Sequence, residues 1–204
     1  MNGPLKDLLV VDLTRVLVGP YCTMILSDLG ARVIKIEAPE IGDDSRKFGP
    51  FVKDYSAYFM SLNRGKESIA LNLKNEDDKK IFEKILAKAD ILVENFKPGT
   101  LEKWGFGWKQ VSKKYPKLIY ASASGFGQTG PLKELPAYDM VVQGMGGLMS
   151  VTGQPNSEPT RVGTSIGDIP AGLFTAFGIN AALYDRQKTG KGMYIDCLLY
   201  TSPS

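Results

Sequence analysis

Asp168 is the acidic residue whose neighbours in the sequence best suit a catalytic role. It follows the small-residue segment Gly163-Thr164-Ser165-Ile166-Gly167 and precedes Pro170, where an apolar helix is predicted to begin. Small neighbours leave a carboxylate accessible, as a nucleophile requires. An aspartate just before a proline equally fits a helix N-cap, whose oxygens accept hydrogen bonds from exposed backbone N–H groups. The spacing alone leaves both interpretations open.

Other candidate residues lie where predicted loops meet helices. Asp139 follows Tyr138 before an apolar segment, so it fits either a cap or a site residue. Lys74, Lys97 and Lys103 follow predicted strands or lie in the next helix's first turns. Such lysines suit phosphate binding, although solvated surface lysines are the commoner case.

The composition excludes several classes of mechanism. The 204 residues include no histidine, which rules out Ser-His-Asp triads, Cys-His dyads and His-ligated zinc within this sequence. The two cysteines, Cys22 and Cys197, are far apart, and the acids lack metal-ligand spacing, so we expect no metal site. A net charge of +3 indicates neither nucleic acid nor a membrane surface as partner. With no signal-like segment and no apolar run of roughly 20 residues, we expect a cytoplasmic protein.

Two nucleotide-binding motifs are missing. A single glycine, Gly19, follows the first predicted strand, where a dinucleotide fingerprint would carry three. No GxxxxGK[ST] phosphate loop occurs either. The sequence therefore gives little support to NAD or ATP.

Short β-branched runs alternate with helical patterns along the chain. We predict strands over residues 8–13, 32–37, 68–73, 91–94 and 118–121, and a further strand beginning at 193–196. Helices are predicted over 21–29, 75–89 and 108–115, around Leu101, and from Pro170 onward. This alternation predicts an α/β fold with a mostly parallel sheet covered by helices on both faces. Ligands would then bind at the loops that begin near Arg15, Glu37, Leu73, Asn95 and Ser122.

Five motifs in this order resemble the family III CoA-transferases (the CaiB/BaiF family, which includes formyl-CoA, carnitine and succinate–hydroxymethylglutarate CoA-transferases). They are DLTRVLVGP at 12–20, DLGARVIKIE at 28–37, VENFKPG at 93–99, SGFGQTGP at 124–131 and GKGMYID at 190–196. The resemblance implies that residues 1–196 are the N-terminal part of a Rossmann-like, CoA-binding large domain. Family members are about twice as long and form interlocked homodimers. The resemblance thus implies that the small domain and C-terminal half are missing, and that residues 197–204 mark a truncation or a foreign tail.

The resemblance also assigns site residues. It places the family's nucleophilic aspartate at Asp168. Its CoA contacts fall on Leu17, Val18, Leu71, Asn72, Leu73, Lys74, Asn95, Phe96, Lys97, Lys103, Pro136, Ala137, Tyr138 and Asp139. No metal and no permanently bound cofactor are implied, because coenzyme A and its acyl thioesters are the substrates. Backbone N–H groups at the start of the predicted Pro170 helix would favour the ionised form of Asp168.

The implied activity is transfer of CoA from an acyl-CoA donor, such as succinyl-CoA, to a carboxylic acid through an aspartyl mixed anhydride and an aspartyl-CoA thioester. Leu17 and Ala38 replace a glutamine and an arginine of the formyl-CoA transferase pattern, whereas segment 42–52 is closer to the succinate and dicarboxylate branch. Arg15, Arg46 and Arg64 could each bind a second carboxylate, and the sequence does not choose among them.

Two alternative functions remain. An acyl-CoA racemase or isomerase on the same scaffold is disfavoured, because Tyr138 stands where that branch has its histidine. A CoA- or nucleotide-binding module without chemistry is the alternative from another class, and this chain by itself is expected to lack turnover.

Overall fold

The computed structural model describes residues 3–199, in which strands and helices alternate. The strands are β1 (Leu9–Asp12), β2 (Arg32–Glu37), β3 (Phe51–Val52), β4 (Tyr55–Ser56), β5 (Glu67–Ala70), β6 (Ile91–Glu94), β7 (Ile119–Ser124) and β8 (Tyr194–Leu198). The helices are α1 (Val18–Asp28), α2 (Ala57–Asn63), α3 (Glu76–Leu86), α4 (Thr100–Trp104), α5 (Trp108–Lys114), α6 (Asp139–Met145) and α7 (Asp168–Thr189). Residues Asp44–Lys47 and Leu148–Val151 form 3₁₀ turns.

Six parallel strands form one sheet in the order β5-β2-β1-β6-β7-β8. Strands β3 and β4 form a separate antiparallel hairpin. The order runs outward in opposite directions from β1 and β6, which makes these two neighbours the topological switch point of an open α/β sheet. The predicted α/β, Rossmann-like fold is confirmed.

The core lies on both faces of this sheet, because alternate strand residues point to opposite sides. Val10 packs with Leu26 of α1 and Ile179 of α7 on one face. Val11 packs with Phe82 of α3 on the other, where Leu101 of α4 and Val111 of α5 complete the layer. Burial on both faces explains why the strands are short, β-branched runs.

Strands β2 and β6 have the predicted bounds, whereas other elements differ by a few residues. Helix α1 begins at Val18 and carries Pro20 within its first turn, where proline's missing N–H has no intrahelical partner to lose. Helix α7 likewise begins at Asp168, before Pro170. Residues 197 and 198, predicted to mark a truncation or a foreign tail, belong to β8, and residues 200–204 lie outside the described part of the chain.

Helices α1 and α7 approach each other closely at their N-terminal ends. A Cβ on Gly172 of α7 would lie 2.7 Å from the carbonyl oxygen of Val18 and 3.1 Å from the ring of Tyr21. Only glycine fits this contact without movement of a helix. The contact holds the start of α1 against the start of α7, which carries Asp168.

We expect Gly172→Ala to destabilise the fold by about 1–3 kcal/mol, because overpacking outweighs the better helix propensity of alanine. Gly144→Ala in α6 is the matched control: its Cβ would meet only Met149 Sδ at 3.6 Å, an ordinary contact. This variant should be unchanged or slightly more stable. Urea unfolding of both proteins measures the difference, and equal midpoints would contradict the packing argument.

Candidate active site

A cavity of about 250 Å³ lies at the carboxyl ends of β1, β6 and β7, at the switch point. Its walls come from loops that follow these strands and from the first residues of α6 and α7. Ten predicted site residues line it: Leu17, Val18, Asn95, Phe96, Lys97, Pro136, Ala137, Tyr138, Asp139 and Asp168. The fold thus brings together residues as far apart in the sequence as Leu17 and Asp168.

A second cavity of about 390 Å³ adjoins the first and shares Arg15 and Phe96 with it. It is lined by four further predicted contacts, Leu71, Asn72, Leu73 and Lys74. Lys103, exposed on α4, lines neither of the two cavities in the described structure, although its neighbour Trp104 lines the second.

Asn95 joins the two loops of the switch point. Its side-chain oxygen accepts the backbone N–H of Arg15 at 2.9 Å, and its amide nitrogen donates to the carbonyl of the same residue at 2.8 Å. One amide side chain thereby satisfies both backbone polar groups of a loop residue. Asn95, predicted as a CoA contact, therefore also fixes the backbone of the cavity wall.

Asp168 is the first residue of α7, so of the two interpretations left open by the sequence, the N-cap is not the one observed. The residue before it, Gly167, occupies the cap position and has no side chain to cap the helix. Burial, with a further contribution from the negative charge of Asp139, raises the pKa of Asp168 to about 6. The net shift is opposite to the one expected from the helix N–H groups, because removal of water from the carboxylate outweighs them.

Asp139 is buried, and it organises the entrance to α7 rather than capping its own helix. Its Oδ1 accepts the backbone N–H of Gly167 at 2.7 Å, and its Oδ2 accepts Nε2 of Gln143 at 2.7 Å. Gln143 in turn accepts the N–H of Val162 at 2.8 Å. This chain of bonds fixes the glycine-rich segment that leads to Asp168.

Two residues near the site were missed by the sequence analysis. Gln143 could have been suspected from its position one helical turn after Asp139. Tyr58 on α2 gave no sequence signal; burial, with further contributions from the negative charges of Asp168 and Asp43, raises the pKa of its hydroxyl.

The described residues 3–199 contain no group of three or more cysteine or acidic side chains placed to hold a metal ion. Nor does any helix in that range have the length and apolar character needed to cross a membrane. The arrangement offers an accessible carboxylate with a raised pKa in a cavity with two lysines, Lys97 and Lys133, which suits nucleophilic attack on an anionic substrate.

Comparison with known proteins gives a consistent result. The model of CoA-transferase family III matches residues 5–203. The chain is 56% identical over 200 residues to acetyl-CoA:oxalate CoA-transferase from Acetobacter aceti, covering 98% of the chain and 51% of that relative. It is 46% identical to human succinyl-CoA:glutarate CoA-transferase, covering 98% of the chain and 46% of the relative. The chain spans about half the length of these curated relatives.

The fold has a solved counterpart. The crystal structure of a CAIB/BAIF family protein from Brucella suis matches 98% of this chain and 54% of that one, with a TM-score of 0.93 and 44% sequence identity. The parallel sheet and its helices therefore recur in an experimental structure.

The pKa of Asp168 generates a prediction. A carboxyl group with a pKa near 6 takes up its proton as the pH falls through 6, so a reaction that needs the carboxylate should slow below that pH. Asp139→Asn keeps an acceptor for the Gly167 N–H and removes the neighbouring charge. We expect it to lower the pKa of Asp168 toward the ordinary value.

Titration of the Asp168 carboxyl carbon by NMR measures this shift directly. Asp185→Asn, on the same helix and bonded to Thr189, is the matched control and should leave the titration unchanged. An unaltered Asp168 pKa in Asp139→Asn would contradict the electrostatic coupling.

Proposed function

The chain belongs to CoA-transferase family III, and on that premise we propose that the protein transfers CoA between an acyl-CoA thioester and a dicarboxylic acid, with Asp168 as nucleophile. The main support for this proposal is that the half-buried carboxylate of Asp168 shares one cavity with the switch-point loops of β1 and β6. Such a crevice, beyond the carboxyl ends of parallel strands, is where α/β folds bind ligands.

The proposed reaction uses only carboxylates and one thiol. A carboxylate oxygen of Asp168 attacks the thioester carbon, the C–S bond breaks, and CoA leaves as a thiolate with the electron pair. The thiolate then attacks the Asp168 carbonyl carbon of the mixed anhydride and releases the donor acid as its carboxylate. An aspartyl-CoA thioester remains. Covalent catalysis thus divides one difficult exchange into simpler steps.

The second half repeats these steps in reverse. The acceptor carboxylate attacks the aspartyl-CoA carbonyl and expels the thiolate, which forms a new mixed anhydride. Attack of the thiolate on the acceptor's acyl carbon gives the new acyl-CoA and restores the Asp168 carboxylate. No proton or electron is gained or lost overall, so the proposed cycle needs neither a histidine nor a redox group.

The two adjoining cavities support a proposed path for CoA. We place the nucleotide end in the larger cavity beside Lys74 and the thioester end in the cavity of Asp168. Lys74, in the larger cavity, supplies positive charge for the phosphate groups. The shared residues Arg15 and Phe96 would then lie along the middle of the bound molecule.

A dicarboxylic acceptor is supported by the relatives and by one arginine. The names of the relatives include oxalate, glutarate and mesaconate. Arg46 is bound to Glu37 through two hydrogen bonds, and Arg64 pairs with Asp28. Arg15 lines the Asp168 cavity, is exposed, and within residues 3–199 pairs only with the surface residue Asp44. We therefore propose Arg15 for the second carboxylate of the substrate.

The nucleophile is tested in the complete gene product. Asp168→Ala should abolish CoA exchange and Asp168→Asn should reduce it at least about 10³-fold, since an amide is a poor nucleophile. Incubation with radiolabelled acyl-CoA should label one peptide, containing Asp168, through a bond that hydroxylamine cleaves. Asp185→Asn serves as the control with normal labelling. Full activity in Asp168→Ala, or labelling of another peptide, would refute the assignment.

Arg15→Gln should raise the KM for a dicarboxylic acceptor about 10-fold or more, because a charge-assisted hydrogen bond is lost. The KM for a monocarboxylic acceptor of similar size should change much less. Arg32→Gln, which removes an exposed arginine paired with Glu67 on the sheet edge, is the matched control. Steady-state kinetics with both acceptors decide the matter, and an equal rise in both KM values would contradict a role in substrate selection.

A further inference from the structure

Val16 adopts a backbone conformation that a β-branched residue rarely takes. Its φ of +69° lies in the left-handed region, where the side chain of valine crowds the backbone. The residue lines the Asp168 cavity between Arg15 and Leu17. A strained conformation at such a place persists only when the surrounding structure imposes it.

Asp43 is the side chain that holds Val16. Its Oδ1 accepts the N–H of Val16 at 3.1 Å and also the N–H and hydroxyl of Ser45 at 2.9 and 2.7 Å. Its Oδ2 forms an ion pair with Nζ of Lys35 at 2.9 Å, and both side chains are only 1% exposed. The backbone N–H of Asp43 is bound in turn by Glu37 at 2.9 Å.

Lys35 binds the other end of the same loop. Its Nζ donates to the carbonyl of Thr14 at 2.7 Å. The buried pair therefore forms hydrogen bonds with the backbone on both sides of Arg15, at the Thr14 carbonyl and at the Val16 N–H. Asn95 holds Arg15 itself, so three consecutive residues of the loop are fixed by side chains.

We propose that the buried Lys35–Asp43 ion pair is a positioning element: it imposes the left-handed conformation on Val16 and so places Leu17 and Val18 along the wall that faces Asp168. Burying two opposite charges adds little stability compared with an apolar pair of similar volume, because both charges lose their hydration. The specific contribution of the pair is therefore the loop conformation. The catalytic consequence rests on the proposed function, since the wall acts on the reaction only if the cavity accepts an acyl-CoA.

The test replaces both charges together. Asp43→Ala alone would leave Lys35 charged and unpaired in the interior, which is strongly destabilising. Lys35→Met with Asp43→Leu leaves neither charge of the pair without its partner, but it removes the hydrogen bonds to the Thr14 carbonyl and the Val16 N–H. In the complete gene product we expect the KM for acyl-CoA to rise about 10-fold, and amide hydrogen exchange in a peptide covering residues 14–21 to become about 10-fold faster.

Val16→Gly added to this double variant separates positioning from stability. Glycine adopts the left-handed conformation without steric cost, so residue 16 no longer needs the hydrogen bond to Asp43 to stay in it. We expect the KM to return to within about threefold of the wild-type value, because the strain that opposed the active conformation is gone. Val16→Gly alone completes a mutant cycle in which the two charge substitutions count as one change. A loss of general stability would not be rescued, since glycine makes the unfolded chain more favourable.

The control is a second ion pair that starts on the same strand. Arg32→Gln with Glu67→Gln removes an exposed pair between β2 and β5 and should change neither the KM nor exchange in residues 14–21. An unchanged KM and exchange rate in the Lys35–Asp43 double variant, or a defect that Val16→Gly does not reduce, would overturn the proposal. A wild-type protein that neither binds nor turns over acyl-CoA would overturn the proposed function instead, and the exchange rates would still decide whether the pair holds the loop.

Discussion

The site depends on the reversal of strand order between β1 and β6. Parallel strands on either side of this point send their connections in opposite directions, so a crevice opens between the loops that follow them. Asn95 links the two loops by binding both backbone polar groups of Arg15, and this link fixes one wall of the cavity. Every group that we assign to the reaction is positioned relative to this wall.

Two carboxylates with different partners then divide the roles at the cavity. Asp139 accepts hydrogen bonds from the Gly167 N–H and from Gln143, which gives it a structural role. Asp168 begins a helix and is half-buried, and its pKa rises to about 6. A carboxylate of this kind is still mostly ionised at neutral pH and is a stronger nucleophile than an ordinary one. Two aspartates thus acquire different properties from their surroundings.

Charged residues inside the sheet explain how a short loop is held in an unfavourable shape. Lys35 and Glu37 occupy one strand, β2, and both are buried because helices and loops cover the two faces of the sheet. Each finds a partner of opposite charge in the following loop, Asp43 for the first and Arg46 for the second. The paired charges also bind backbone groups, which an apolar pair could not do. The buried side chain of Lys35 on β2 is therefore connected to the cavity wall through Asp43 and Val16.

The sequence by itself determined the fold class, the family and ten of the residues that line the Asp168 cavity. Strands such as β2 and β6 are recognisable because their apolar periodicity is local, and the motifs carry family information in their residue types. Only the tertiary structure decided that Asp168 lies inside its helix with a raised pKa and that Lys35 is buried against Asp43. Desolvation and ion pairing depend on which distant segments pack together, and a linear pattern contains no distances between them.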